Sequence, residues 1–173
     1  MKKNSGFTIM ELIVTVAVIS IIMAFAIPSM TTFNQNDRMI TNINTLIGHL
    51  AYARSEAVKR SQRVSLCISS NTTSCTGSSW AEGWILYIDA DGNGSFSENT
   101  ASGEVILRAQ QQLDGANTLT PTTFAGQVTY DYRGFTTSTG SFLLCDGRTG
   151  PHGKTITITT TGRVRLEDGS TCT

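Results

Sequence analysis

Residues Gly6 to Pro28 read GFTIMELIVTVAVISIIMAFAIP and follow Lys2 and Lys3. Apart from Glu11 the stretch carries no charge. A helix rises about 1.5 Å per residue, so roughly 20 residues cross the ~30 Å hydrocarbon core of a bilayer. The stretch therefore predicts a transmembrane helix over residues 7–28, with the rest of the chain forming a soluble domain attached to it. Glu11 is the anomaly. A carboxylate inside a membrane helix costs a few kcal/mol and is usually retained where it finds a partner. The bland reading places it near the helix end, reaching the headgroups. The sharper reading gives it a positive partner on a neighbouring helix, namely a free α-amino group at Phe7 created by cleavage after Gly6. Pro28 removes a hydrogen bond and crowds the carbonyl four residues back, so a kink or local melting is expected there.

Lys2-Lys3-Asn4-Ser5-Gly6, then Phe7-Thr8-Ile9-Met10-Glu11 and an apolar run to Pro28, resembles the class III signal and N-terminal helix of type IV pilins and pseudopilins. The resemblance implies a leader over residues 1–6, removed by a prepilin peptidase after Gly6. It also implies N-methylation of Phe7 and a role for Glu11 in docking the subunit into a filament. Because the cut precedes the apolar run, the run would stay in the mature protein, unlike an ordinary secretory signal, which is cut after it.

The chain has 173 residues. Beyond the helix, about 140 residues remain, enough for one domain with its own core. Formal net charge is zero, so no global basic field points to nucleic acid. The distribution is uneven. Glu82, Asp89, Asp91, Glu98, Glu104 and Asp114 face only Arg108 in the middle of the chain. From Arg133 onward Arg133, Arg148, Lys154, Arg163 and Arg165 outnumber Asp146, Glu167 and Asp168.

The cysteines are Cys67, Cys75, Cys145 and Cys172. A basic leader followed by a membrane helix places them outside the cytoplasm by the positive-inside rule, where disulfides persist. Four cysteines allow three pairings. The favoured one joins Cys67 to Cys75, closing a small Ser/Thr-rich loop, and Cys145 to Cys172, tying down the C-terminus. Zinc would need C-x-x-C spacing or nearby histidines, and His49 and His152 are not suitably placed.

After Pro28, Met30, Phe33, Met39, Ile40, Ile43, Leu46, Ile47, Leu50, Ala53, Ala57 and Val58 recur at three- and four-residue spacing. That pattern predicts an amphipathic helix over residues 29–62, with one face for a core. Arg54, Lys59, Arg60 and Arg63 gather near its end and are read as cations suited to the C-terminal dipole. From residue 63 to 173 the period changes to two. Strands are expected at Val64–Ile68, Trp84–Asp89, Glu104–Arg108, Gln127–Tyr132 and Ser141–Cys145. A hairpin of Lys154–Thr160 with Arg163–Leu166 should turn at Thr161-Gly162. A long helix followed only by β-structure predicts an α+β, pilin-like fold, the helix packed on a mostly antiparallel β-sheet.

Asp89-Ala90-Asp91-Gly92-Asn93-Gly94 resembles the start of a calcium loop. An EF-hand needs a bidentate glutamate at the twelfth position, which here is Thr100, and helices on both sides. The expected reading is an acidic turn between strands. The calcium candidates, if any, are Asp89, Asp91 and Asn93, and no cofactor or other metal is expected. With no G-x-S-x-G, H-E-x-x-H or phosphate-binding loop, the sequence is not read as an enzyme.

Gly162-Arg163-Val164-Arg165 is the remaining sharp feature. On a strand, Arg163 and Arg165 point to one face, about 7 Å apart, and each guanidinium can engage a phosphate. Lys154, Arg148 and Arg133 are expected nearby. The plainer alternative is an edge strand protected by charge. This segment, with Tyr52-Ala53-Arg54-Ser55-Glu56-Ala57 and Arg133-Gly134-Phe135-Thr136, resembles the GspH/FimT/FimU branch of minor pilins and pseudopilins. In the FimT type the G-R-x-R motif binds DNA during natural transformation. The resemblance implies an inner-membrane precursor with its C-terminal domain in the periplasm, assembling with other pilins or pseudopilins into a type IV pilus. For the FimT type it implies DNA as a further partner, through phosphate contacts; FimU-type tip-complex pilins of the same branch can share these features without using DNA. The alternative is a GspH-type pseudopilin of a type II secretion system that contacts exported proteins.

Overall fold

The computed structural model describes residues 7–97, 103–124, 126–136 and 138–173. Gly6, the residue before the expected cut, lies outside them, as do the other leader residues. Two compact units are present, one ending at Asp37 and one running from Arg38 to Thr173.

In the first unit the helix α1 (Ile9–Arg60) begins after Thr8. The Glu11 N–H donates to Thr8 Oγ1 at 3.2 Å, so Thr8 caps the helix and Glu11 occupies the third position, where negative charge suits the dipole. The apolar side chains from Ile9 to Phe33 are exposed throughout. The few hydroxyls fold back on the helix: Thr15 donates to Leu12 O and Ser20 to Val16 O, each at 2.8 Å. The helix is thus long and apolar enough to cross a membrane and presents no stray donor from these side chains. The expected melting at Pro28 does not occur. The helix runs on through it, and in the next turn the Thr31 and Thr32 hydroxyls donate to Pro28 O.

In the second unit α1 buries Met39, Ile43, Leu46, Leu50, Ala53 and Ala57, spaced alternately by four and three residues. This is the stripe that the sequence pattern predicts. The helix stops at Ser61, which turns left-handed at φ 54° while the Gln62 N–H reaches back to Ala57 O.

The strands that follow are β1 (Val64–Ile68), β2 (Trp84–Ile88), β3 (Ile106–Gln110), β4 (Thr118–Pro121), β5 (Gln127–Tyr130), β6 (Gly140–Cys145), β7 (Gly150–Ile158) and β8 (Val164–Cys172). They form two four-stranded sheets, ordered β3-β2-β1-β5 and β4-β6-β7-β8, with every pairing antiparallel. The expected antiparallel β-structure is present and is divided between two sheets. The helix stripe joins Leu66, Trp84, Leu86, Val128, Phe142 and Ile156 in one core. A short 3₁₀ turn, Trp80–Glu82, drops Trp80 edge-on against Phe142 at 4.9 Å.

The hairpin expected over residues 154–166 is longer than read. β7 starts at Gly150 and β8 reaches Cys172. Strand β4 and the Trp80 turn carry little sequence signal, because each is only three or four residues long and offers one large apolar side chain. Cys67 is bonded to Cys75, and Cys145 to Cys172. The first bridge belongs to a small apolar cluster of Cys67, Ile85 and Tyr87, backed by Phe96 and Ile106.

Candidate functional site

The last turns of α1 and the β5–β6 and β7–β8 turns enclose a cavity of about 720 Å³. Its floor is apolar, with Val58 and Val164. Its charged lining is Arg54, Lys59, Arg133 and Arg163, with no carboxylate. Residues 47, 51, 54 and 58 succeed one another at three- and four-residue steps, so Arg54 lies on the same helix stripe as the apolar floor. Its Nε donates to Gly134 O at 3.1 Å. That carbonyl belongs to the β5–β6 turn, which closes on itself through Asp131. The Asp131 Oδ1 accepts the N–H groups of Arg133 and Phe135 at 2.9 Å.

The β7–β8 turn is fixed beside it. The Thr136 N–H donates to Thr160 O at 3.0 Å, and the Gly162 N–H donates to Thr159 O at 2.8 Å. Gly162 has φ 73°, and a Cβ there would stand 2.2 Å from Gly134 O. Only glycine lets the two turns meet so closely.

The structure thus brings Arg133 and Arg163 together but separates the other expected cations. Arg165 lies on β8 opposite Thr157, with its Nε 3.7 Å from Glu167 Oε1, and does not line the cavity. Lys154 is opposite Asp168 and bonded to it at 2.5 Å. Arg148 is bound to Asp146 at 2.5 Å. Burial opposes the charge on Asp146, but the Arg148 hydrogen bonds and charge prevail and hold its carboxyl below the usual range. Lys154 and Arg148 thus do not line the cavity, while Arg54 and Lys59 do. Two of the lining cations also have carboxylate partners outside it, Arg133 with Asp131 at 3.6 Å and Lys59 with Glu56 at 3.5 Å. Sequence reasoning assigned Arg54 and Lys59 to the helix end; the missed signal is that Arg54 falls on the floor stripe. Arg60 does behave as an end cation, pairing with Glu56 at 2.5 Å.

In the acidic turn, Asn93 is bonded within the turn itself. Its Nδ2 donates to Asp91 Oδ2 and its Oδ1 accepts the Ser95 N–H, both at 2.6 Å. This is the Asn/Gly turn chemistry that the sequence favours.

Residues 42–162 match the family described as type II transport protein GspH, and residues 1–27 match the prokaryotic N-terminal methylation motif. The chain belongs to the GspH family and is a type IV minor pilin or pseudopilin of the GspH/FimT/FimU kind. Its fold is similar to that of the type IV minor pilin FimU of Pseudomonas aeruginosa. There the identity is 21%, covering 79% of this chain and 93% of that one, with a TM-score of 0.63. It is also similar to the minor pseudopilin EpsH of the Vibrio cholerae type 2 secretion system, at 13% identity, 76% and 97% coverage and a TM-score of 0.52. No curated protein matches the chain. The family is one of structural subunits that assemble with other pilins or pseudopilins.

Proposed function

We propose that the chain is an inner-membrane precursor cut between Gly6 and Phe7, N-methylated on Phe7, and built into a type IV pilus as a minor subunit with its C-terminal domain in the periplasm. The observation that carries this reading is the uncovered apolar surface of α1. Side chains such as Leu12, Val16, Ile19 and Phe25 are each more than half exposed. Such a surface calls for lipid before assembly and neighbouring helices after it. Glu11 projects from the first turn, where it neutralises the α-amino group of an adjacent Phe7. Mass spectrometry of the subunit from sheared fibres should give a mature chain starting at methylated Phe7. A chain still carrying Met1 to Gly6 in the fibre would contradict the proposal. The same helix serves the alternative, a GspH-type pseudopilin contacting exported proteins. Recovery with secretion-system subunits instead of sheared pili would favour that assignment.

A second role is phosphate binding, and with it DNA uptake for transformation. It is supported by a cavity lined by Arg54, Lys59, Arg133 and Arg163 and by no acidic residue; Arg165, outside that lining, follows Arg163 by two residues on the same stretch. Few phosphates would be neutralised, so binding should be modest, steeply salt-dependent and indifferent to sequence. A gel shift of the full chain in detergent with duplex DNA tests it. Replacing Arg133, Arg163 and Arg165 by glutamine should abolish the shift, and unchanged binding would exclude these residues.

A further inference from the structure

The acidic turn gains a member that the linear pattern does not provide. An oxygen from each of Asp89, Asp91 and Glu104 lies within 4.8 Å of the others. Calcium takes its oxygens at about 2.4 Å, so ligands on opposite sides of one ion stand about 4.8 Å apart. The glutamate absent at Thr100 is thus supplied in space by Glu104, just ahead of β3.

Strand register explains the convergence. Ser65 of β1 is opposite Tyr87 of β2, and Asp89 follows Tyr87 by two residues, so the three side chains share one face of the sheet. Asp89 and Glu104 are buried, at 2% and 8% exposure, while Asp91 is exposed. Among the described residues, neither Asp89 nor Asp91 has a lysine or arginine within ion-pair distance. Arg63 packs against the turn, its guanidinium where a Cβ on Gly92 would stand. Bonds from Ser65 Oγ to Asp89 Oδ2 at 3.0 Å and from the Ser97 N–H to Glu104 Oε2 at 2.7 Å orient two of the carboxylates.

A separate observation points to a ligand. The Tyr87 hydroxyl is fully buried on this face and makes no hydrogen bond of good geometry. Ser65 lies beside it but is engaged with Asp89 and Thr129. By strand register the Tyr87 side chain lies on the same face of the sheet as Asp89 and Ser65. A buried phenol oxygen left without a partner is costly, and a hard cation or its bound water would satisfy it.

We propose that Asp89, Asp91 and Glu104, with the Tyr87 hydroxyl behind them, bind a calcium-class divalent cation that pins the Asp89–Gly94 turn to the outer face of the β1–β2 sheet. Three carboxylates supply up to six oxygens, and water completes the shell. Oxygen-only donors select calcium over zinc.

The test uses the full chain in detergent micelles, stripped with EDTA. Terbium chloride serves as the luminescent probe, sensitised by Tyr87. Luminescence should appear on titration and be displaced by calcium chloride. Calcium at about 1 mM, the range of extracellular calcium modules, should raise the unfolding midpoint. Asp91→Asn, on an exposed side chain, should keep the fold in EDTA and weaken binding about tenfold or more, and Glu104→Gln should do the same. Absence of both luminescence and thermal shift in the unaltered chain would overturn the proposal. So would binding by Asp91→Asn and Glu104→Gln equal to that of the unaltered chain.

Discussion

Arg54 donates from Nε to Gly134 O at 3.1 Å, across eighty positions of sequence. This bond ties the helix to the β5–β6 turn, and Gly162 packs against the same carbonyl. Arg54→Leu should cost about 1–2 kcal/mol from the lost charged hydrogen bond and should weaken polyanion binding through displacement of Arg133. Gly162→Ala should cost about 2 kcal/mol or more, because a side chain there meets both a positive φ and a backbone oxygen. Thermal unfolding of the two variants in detergent checks both values.

Trp84 Nε1 donates to Nδ1 of His49 at 3.0 Å, which requires that nitrogen to be unprotonated. Burial, and then the charge of Arg108, lower the His49 pKa below 6.5. The unfolded chain therefore takes up the proton first as pH falls. Stability is full above about pH 6.5 and declines below it, until the folded ring titrates as well. His49→Gln keeps an acceptor for Trp84 and removes the titration. Its unfolding midpoint should change less between about pH 7 and pH 5 than that of the unaltered chain.

The Asp146–Arg148 pair is nearly enclosed, its side chains 5% and 19% exposed. Arg148→Gln leaves a buried carboxylate without its partner and should cost about 2–3 kcal/mol near neutral pH. Asp146 is held below its unfolded value, so the pair stabilises above about pH 4 and loses its effect as pH falls through the folded pKa. The gap between the two unfolding midpoints should close in that acid window. A constant gap would show that Arg148 acts by packing alone.

What the sequence made legible was periodic or covalent. The stripe from Met39 to Ala57 and the alternation in Val64–Ile68 announce themselves, because burial on one face imposes a fixed spacing. The division into two sheets does not, since register and sheet membership depend on contacts far apart in sequence, such as Leu66 with Val128. The candidate site was half visible. Gly162-Arg163 is a local signal, whereas Arg54 reads as one more helical cation until the Gly134 carbonyl is placed beside it. Glu104 was likewise invisible as a neighbour of Asp89, because strand pairing, and not spacing along the chain, brings them together.

Incorporation of a Glu11→Ala subunit into fibres tests the role of α1 most directly. Glu11 is exposed and belongs to the first unit, whereas the buried core belongs to the second, so the second unit of the variant should unfold at the same temperature as that of the unaltered protein. Quantified in sheared fibres against a membrane-fraction control, the variant should be present in the membrane and missing from the fibre. Glu11→Ala subunits recovered in fibres at the unaltered level would contradict the assembly role.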